Sequence, residues 1–335
     1  MSFANIIGQD RAVRLLRGMI SEGHVDGSYL FIGPGGVGKR SAGIEFAKAI
    51  NCDKKESDGC EECASCGKIK SSNHPDVFII QKEKEFSFIK IDRIRDIIYQ
   101  AGMKPYEAWK KIFIITDAED MNEESQNALL KILEEPRENQ VFILTSSRIS
   151  GIMATVVSRC RAVKFNLLSQ VQIQRFLIER RGFEESEAVL FSHMALGSLG
   201  RAIAFKENDE IRERDRMLND FFFKKRAIFR EEVCDEKKYA DIEESLGALL
   251  SWYRDLLVSK FIPLDSKHLT GFTEDRDIFL NVDRVEEIFS YSSRFTAAKL
   301  EKDIASVMNT INHVRRNVNP KMALFNMALE LCSPL

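Results

Sequence analysis

The chain has 335 residues, 44% of them hydrophobic and 30% charged, with a formal net charge of −2. That length exceeds one average domain, so two or three are expected, and that composition is ordinary for a globular chain and does not suggest disorder. The near-neutral charge excludes a global basic field, so any contact with DNA is expected to be local or made through partners.

The amino terminus, MSFANIIGQDRAVRLL, has no continuous apolar stretch before a small-residue cleavage site, and no later run approaches a membrane span in length. The reading is a cytoplasmic protein with no membrane contact. Short apolar runs then alternate with helix-length intervals: YLFIG (29–33), DVFII (76–80), KIFIITD (111–117), VFILTS (141–146) and AVKF (162–165). Such runs predict a parallel sheet covered by helices on both faces, an α/β core. The first leads into GPGGVGKR (33–40) and the helical pattern SAGIEFAKAI. Strand, glycine loop and helix form the context of a phosphate-binding loop, in which Lys39 and the backbone amides of Gly35, Gly36 and Gly38 would cradle phosphates. The last position departs from that pattern, because Arg40 stands where a Ser or Thr hydroxyl holds Mg²⁺.

Seven cysteines are an odd number, and four of them crowd between residues 52 and 66 as C-x7-C-x2-C-x2-C. Two residues between cysteines let neighbouring thiolates reach one tetrahedral Zn²⁺, and a more distant fourth closes the shell. Cys52, Cys60, Cys63 and Cys66 therefore predict a structural zinc in a reducing compartment. An iron-sulfur cluster is the alternative left open by the same ligand set. Cys234 and Cys332 read as structural, as does His74 ahead of Pro75 at a strand entrance.

After residue 166 the strand-like runs stop. Helical patterns around GSLG suggest a small module over 167–207, and a mixed-charge run at 207–238 reads as a solvated helix face. Further on, Ile304, Val307, Met308 and Ile311 fall on one helical stripe, and Leu324, Met327, Ala328 and Leu331 on another after the NVNP break. Both stripes predict bundle core. The expected division is 1–166, 167–207 and 208–335.

The glycine loop, the four-cysteine knuckle, NALLKILEEP (127–136), VFILTSS (141–147) and TVVSRCRAVKF (155–165) together resemble the bacterial clamp-loader ATPase family of the AAA+ class. The resemblance implies a P-loop core with a zinc-binding insertion, a helical lid and a C-terminal helical collar for oligomerisation. Within the family the details, including the NVNPKMALFNMALEL tail, look like the delta prime type of subunit and not the gamma/tau motor type. Two departures from a motor have a chemical meaning. Arg40 is a cation and cannot ligate a divalent ion. In ITDAED, Asp117 could still hold Mg²⁺, yet Ala118 stands where the motor subunits carry the Glu that orients attacking water. The loop is then scaffold, or a weak site that binds ATP without hydrolysing it.

Ser158-Arg159-Cys160 is similar to the family's SRC motif, whose Arg reaches across a subunit interface to the γ-phosphate held by the neighbour. The resemblance assigns that arginine-finger role to Arg159, and a planar, always-charged guanidinium suits it. By the same resemblance Ser146 aligns with a γ-phosphate-sensing residue, Arg201 with a lid arginine that reaches nucleotide, and Ile6, Ile7, Gly8 and Gln9 with the segment flanking adenine. The implied protein is a non-motor stator in a five-membered ring with gamma/tau and delta subunits. That ring opens the sliding clamp and places it on primed DNA during replication, so the chain would serve a polymerase III holoenzyme without ATPase or polymerase activity of its own. A gamma/tau-like ATPase that tolerates Arg40 and Ala118 is the alternative. A DNA-binding knuckle is disfavoured by Asp53, Glu56, Asp58, Glu61 and Glu62, which leaves packing or interface support.

Overall fold

The computed structural model describes residues 3–54, 57–83, 86, 88–208, 210–219, 239–262, 278–316 and 318–332. Glu56, Cys234, Asn317, the side chain of Cys332 and most of the mixed-charge run at 207–238 lie outside the described residues. Contacts divide the chain into two compact units, Met1–Phe176 with Gly197–Arg201, and Leu177–Leu196 with Ala202–Leu335. The segment 167–207 falls across that division.

In the first unit, strands β1 (Gly27–Ile32), β2 (Val77–Ile80), β3 (Lys111–Ile115), β4 (Gln140–Ser146) and β5 (Arg161–Lys164) form one sheet in the order β2-β3-β4-β1-β5. Every pairing is parallel, and these are the five runs read from the sequence. β1 lies inside the sheet, with Leu30 opposite Leu144 on one side and Ala162 on the other. β3 and β4 are buried at every residue, which is why they lack polar alternation. Phe78, Phe113 and Phe142 stack across β2, β3 and β4 with ring centroids 5.2 and 4.9 Å apart.

The helices of this unit are α1 (Asp10–Ser21), α2 (Lys39–Ile50), α3 (Ala64–Lys70), α4 (Ile91–Ala101), α5 (Glu123–Glu134) and α6 (Ala154–Val157). α4 buries Ile94, Ile97 and Ala101, one face of a 3.6-residue period. α5 starts at Asn122, whose side chain accepts the Ser125 N–H at 2.8 Å, with Glu123 and Glu124 at the positive end of the helix dipole. Because the strands all run one way, the loops after β1, β3 and β4 collect at the same edge of the sheet. That edge holds the candidate site.

α7 (Gln170–Arg181) and α9 (Leu199–Glu207) cross the division between the units. The second unit contains α8 (Glu185–Met194), α10 (Glu210–Leu218), α11 (Tyr239–Ser259), α12 (Val285–Ser292), α13 (Ala297–Arg315) and α14 (Pro320–Cys332). Trp252, Leu246, Leu256, Leu300, Val307 and Met327 form its core. Truncating Trp252, which is fully buried, would cost about 3–5 kcal/mol. The stripe expected on α13 is narrower than the sequence suggests. Leu300, Val307 and Val314 are buried at seven-residue spacing, whereas Met308 is 50% exposed. One residue turns the helix by about 100°, so Met308 lies off the seam that Val307 enters. On α14, Leu324, Met327 and Leu331 are buried and Ala328 is half-buried. The guanidinium of Arg214 is also buried and pairs with Asp215 at 2.6 Å and with Asp283, so its charge is compensated. No helix among the described residues is long and apolar enough to cross a membrane.

Candidate functional site

β1 runs into the glycine loop, and α2 begins at Lys39 behind Gly38. Gly38 has φ +98° and a side chain there would be strained, while a Cβ on Gly33 would sit 2.3 Å from the Phe165 carbonyl oxygen. The loop geometry therefore requires these glycines. Lys39 is 6% exposed and its Nζ donates to the carbonyls of Gly33 and Pro34, each at 2.6 Å. Burial lowers its pKa, opposed by the charges of Asp117 and Glu119. Arg40, one residue on, is exposed in the first turn of α2.

Two further segments close around the loop. The Gln9 carboxamide, 3% exposed, donates to the Val37 carbonyl at 3.3 Å and the Asn166 carbonyl at 2.7 Å, and accepts the Asn166 N–H at 3.0 Å. The Gly200 N–H donates to the Gly36 carbonyl at 2.8 Å, and a Cβ on Gly36 would meet the Ser198 hydroxyl at 2.2 Å. The start of α9 thus lies against the loop, with Arg201 exposed beside it and its N–H on the Ser198 hydroxyl.

After β3, Asp117 adopts a left-handed conformation, φ +51°, with its N–H on Thr145 Oγ1 at 3.0 Å. Burial and then the Glu119 and Asp120 charges raise its carboxyl pKa. Ala118 is fully buried. Glu119 accepts the Ser147 N–H at 2.8 Å and the Ser147 hydroxyl, which ties it to the tip of β4. Ser146 is buried and its hydroxyl accepts the Arg148 N–H.

Arg159 lies elsewhere, between α6 and β5. Its Nε and Nη2 donate to one carboxylate oxygen of Glu134 at 3.1 and 2.9 Å, and its Nη1 donates to the Thr155 carbonyl at 2.9 Å. The neighbouring Cys160 is half-buried, and its desolvation pushes the thiol pKa up to about 12.

Cys52 follows α2, and Cys63 caps α3. The four sulfurs of Cys52, Cys60, Cys63 and Cys66 all lie within 4.8 Å of one another, close enough for one ion to bridge them. Backbone N–H groups of Cys60, Cys63 and Cys66 point at the sulfurs of Cys52, Cys60 and Cys63 at 3.3–3.4 Å, an arrangement that stabilises thiolates. N–H donors from Glu62 and Cys63 lower the Cys60 thiol to about 6, whereas burial raises Cys52 and Cys66. The donor set fits a four-sulfur metal site.

Three of the acids around the cysteines, Asp58, Glu61 and Glu62, have partners within the fold. Asp58 accepts the Phe3 N–H at 2.9 Å and pairs with Arg17 at 2.6 Å. Glu61 pairs with buried Lys48 at 3.0 Å, and Glu62 with Lys54 at 2.7 Å. His74 is buried, its Nδ1 accepting the Asp76 N–H.

Sequence reasoning missed two contacts, Glu134 on Arg159 and Gln9 on Val37. Each joins residues far apart in the chain and leaves no local spacing signal.

A family model described as DNA polymerase III, delta subunit, matches residues 8–169. The DNA polymerase III subunit delta' of Bacillus subtilis is 27% identical over 336 residues, covering 96% of each chain. The DNA polymerase III subunit tau of the same organism is 27% identical over 363 residues, covering 98% of this chain and 61% of tau. A solved gamma subunit-related protein of Thermotoga maritima superposes with a TM-score of 0.47 at 20% identity, covering 96% of this chain and 98% of that one. These similarities point to the clamp-loader family of DNA polymerase III.

Proposed function

We propose that the chain is a delta prime subunit of a DNA polymerase III clamp loader, a stator that completes a neighbouring gamma/tau ATP site with Arg159 and hydrolyses no ATP of its own. One observation carries the reading: the phosphate loop enters its helix as Lys39-Arg40, beside a fully buried Ala118. The loop offers no hydroxyl to Mg²⁺, and a guanidinium in its place repels the ion. A buried methyl at 118 orients no water. Glu119 does not stand in for the missing base, because Ser147 holds it at the tip of β4. Full-length similarity to a delta' subunit agrees with that chemistry.

In this reading Gly35, Gly36, Gly38, Lys39 and Arg201 are a vestigial or weak nucleotide site. Zn²⁺ held by Cys52, Cys60, Cys63 and Cys66 supplies a structural cross-link between the end of α2 and α3. Asp58, Glu61 and Lys48 anchor that knuckle to the core, consistent with packing support rather than DNA contact. The partners are gamma/tau and delta subunits in a ring of five, with the sliding clamp and primed DNA met through the complex in the cytoplasm. Residues 1–166 would serve as core, 167–207 as lid and 208–335 as collar.

The test is steady-state ATP hydrolysis by a reconstituted complex of gamma/tau, delta, clamp and primed DNA with this chain or its Arg159→Ala variant, and by this chain alone. The reading expects no turnover by the chain alone and reduced turnover by the variant complex. Mg²⁺-dependent hydrolysis by the isolated chain would instead establish a gamma/tau-like ATPase, the reading that similarity to tau favours.

A further inference from the structure

We infer that Glu134 is a positioning residue for Arg159, an inference that rests on the reading of Arg159 as a finger acting on a neighbour's ATP. A guanidinium has five N–H donors. Three are engaged, through Nε and Nη2 on Glu134 and Nη1 on the Thr155 carbonyl. One N–H remains on each terminal nitrogen, enough to grip two phosphate oxygens. The two holds therefore orient the group and leave two donors for a ligand.

The location of Glu134 supports a role other than stability. It is the last residue of α5, where the helix dipole disfavours a carboxylate and favours a cation. The side chain of Glu134 is 58% exposed and that of Arg159 28% exposed. A pair this exposed adds little to stability. Its effect is to hold a long, flexible side chain in one rotamer before the neighbour docks, which lowers the ordering cost of each encounter. The carboxylate also offsets part of the finger's positive charge. Orientation and field strength thus pull in opposite directions, and substitutions at 134 separate them. Glu134→Gln keeps an acceptor oxygen and removes the charge, whereas Glu134→Ala removes both.

The experiment measures ATP turnover by the complex of gamma/tau, delta, clamp and primed DNA with four forms of this chain: unaltered, E134A, E134Q and R159A. Complex assembly is checked by gel filtration. Positioning predicts that E134A lowers kcat roughly threefold or more with KM and assembly unchanged, and that E134Q recovers most of the loss. If R159A slows turnover while E134A matches the unaltered chain, Glu134 does not position the finger. If E134A is faster, the carboxylate restrains Arg159 and the inference is overturned. If R159A itself is without effect, the finger reading falls, and this inference falls with it.

Discussion

Asp76 offers a quantitative test of how the core holds the loop before β3. Its carboxylate is 1% exposed and accepts the N–H groups of Tyr106 at 2.8 and 2.9 Å, Glu107 at 2.8 Å and Ala108 at 3.0 Å. Lys111 lies 3.9 Å away, nearly as buried. Burial alone would raise the Asp76 pKa, but the three N–H donors and Lys111 outweigh it and hold the value below the ordinary one. Asp76→Asn keeps the shape. It leaves one acceptor oxygen, turns an NH₂ toward N–H donors and leaves Lys111 without its counter-charge. At about 1.5–3 kcal/mol for a hydrogen bond to a charged group, plus an unpaired donor, the loss should be about 3–5 kcal/mol. That is a large part of the roughly 5–15 kcal/mol that stabilises a domain. The sign with pH follows from the depressed pKa. The contribution is complete above the unfolded value of about 3.9 and is lost as pH falls through the folded one. Urea unfolding of both proteins at neutral pH and near pH 3 is the assay, with the exposed Trp109 on the same loop as a local fluorescence reporter. A gap below about 1 kcal/mol at neutral pH would refute the reasoning. So would a gap that stays constant into acid.

Chain purified under reducing conditions should carry one zinc, released on acidification because the ligands must be thiolates, and Cys63→Ser should abolish it. Metal analysis with thiol titration checks this, and a visible absorption band would point to the iron-sulfur alternative. Lys39→Ala removes two hydrogen bonds from a buried ammonium and should lower stability by about 1–2 kcal/mol in urea unfolding. Turnover by the reconstituted complex should not change. A severe loss of turnover would show that the loop is a working site.

The five strands were legible because a sheet covered on both faces needs short, nearly unbroken apolar runs, and helix-length intervals separate them in the sequence. The cysteine cluster was legible for a similar reason: a metal shell closed by a turn is a local device, and its spacing survives in the chain order. Met308 misled because a helical stripe read from sequence has no fixed edge. The seam through Leu300, Val307 and Val314 sets that edge only once α11 and α14 are in place. The long-range holds on candidate site residues were the least legible. Glu134 and Arg159 are 25 residues apart, and Gln9 and Asn166 are 157 apart. Only the folded sheet brings such pairs together, and nothing in the composition of either segment announces its partner.

The place of β1 inside the sheet bears on the order in which the chain can be made. Gly27 pairs with Val141 and Tyr29 with Arg161, so the first strand synthesised has no neighbour until more than a hundred residues have followed it. The cysteines, by contrast, are complete by residue 66. A nascent chain can therefore assemble its four-cysteine knuckle while the glycine loop still dangles from an unpaired strand, and must keep that apolar strand from aggregating until β4 arrives. Chains truncated before residue 140 should retain metal and lack a sheet around β1, so the knuckle is the first landmark of the fold and the phosphate loop one of the last.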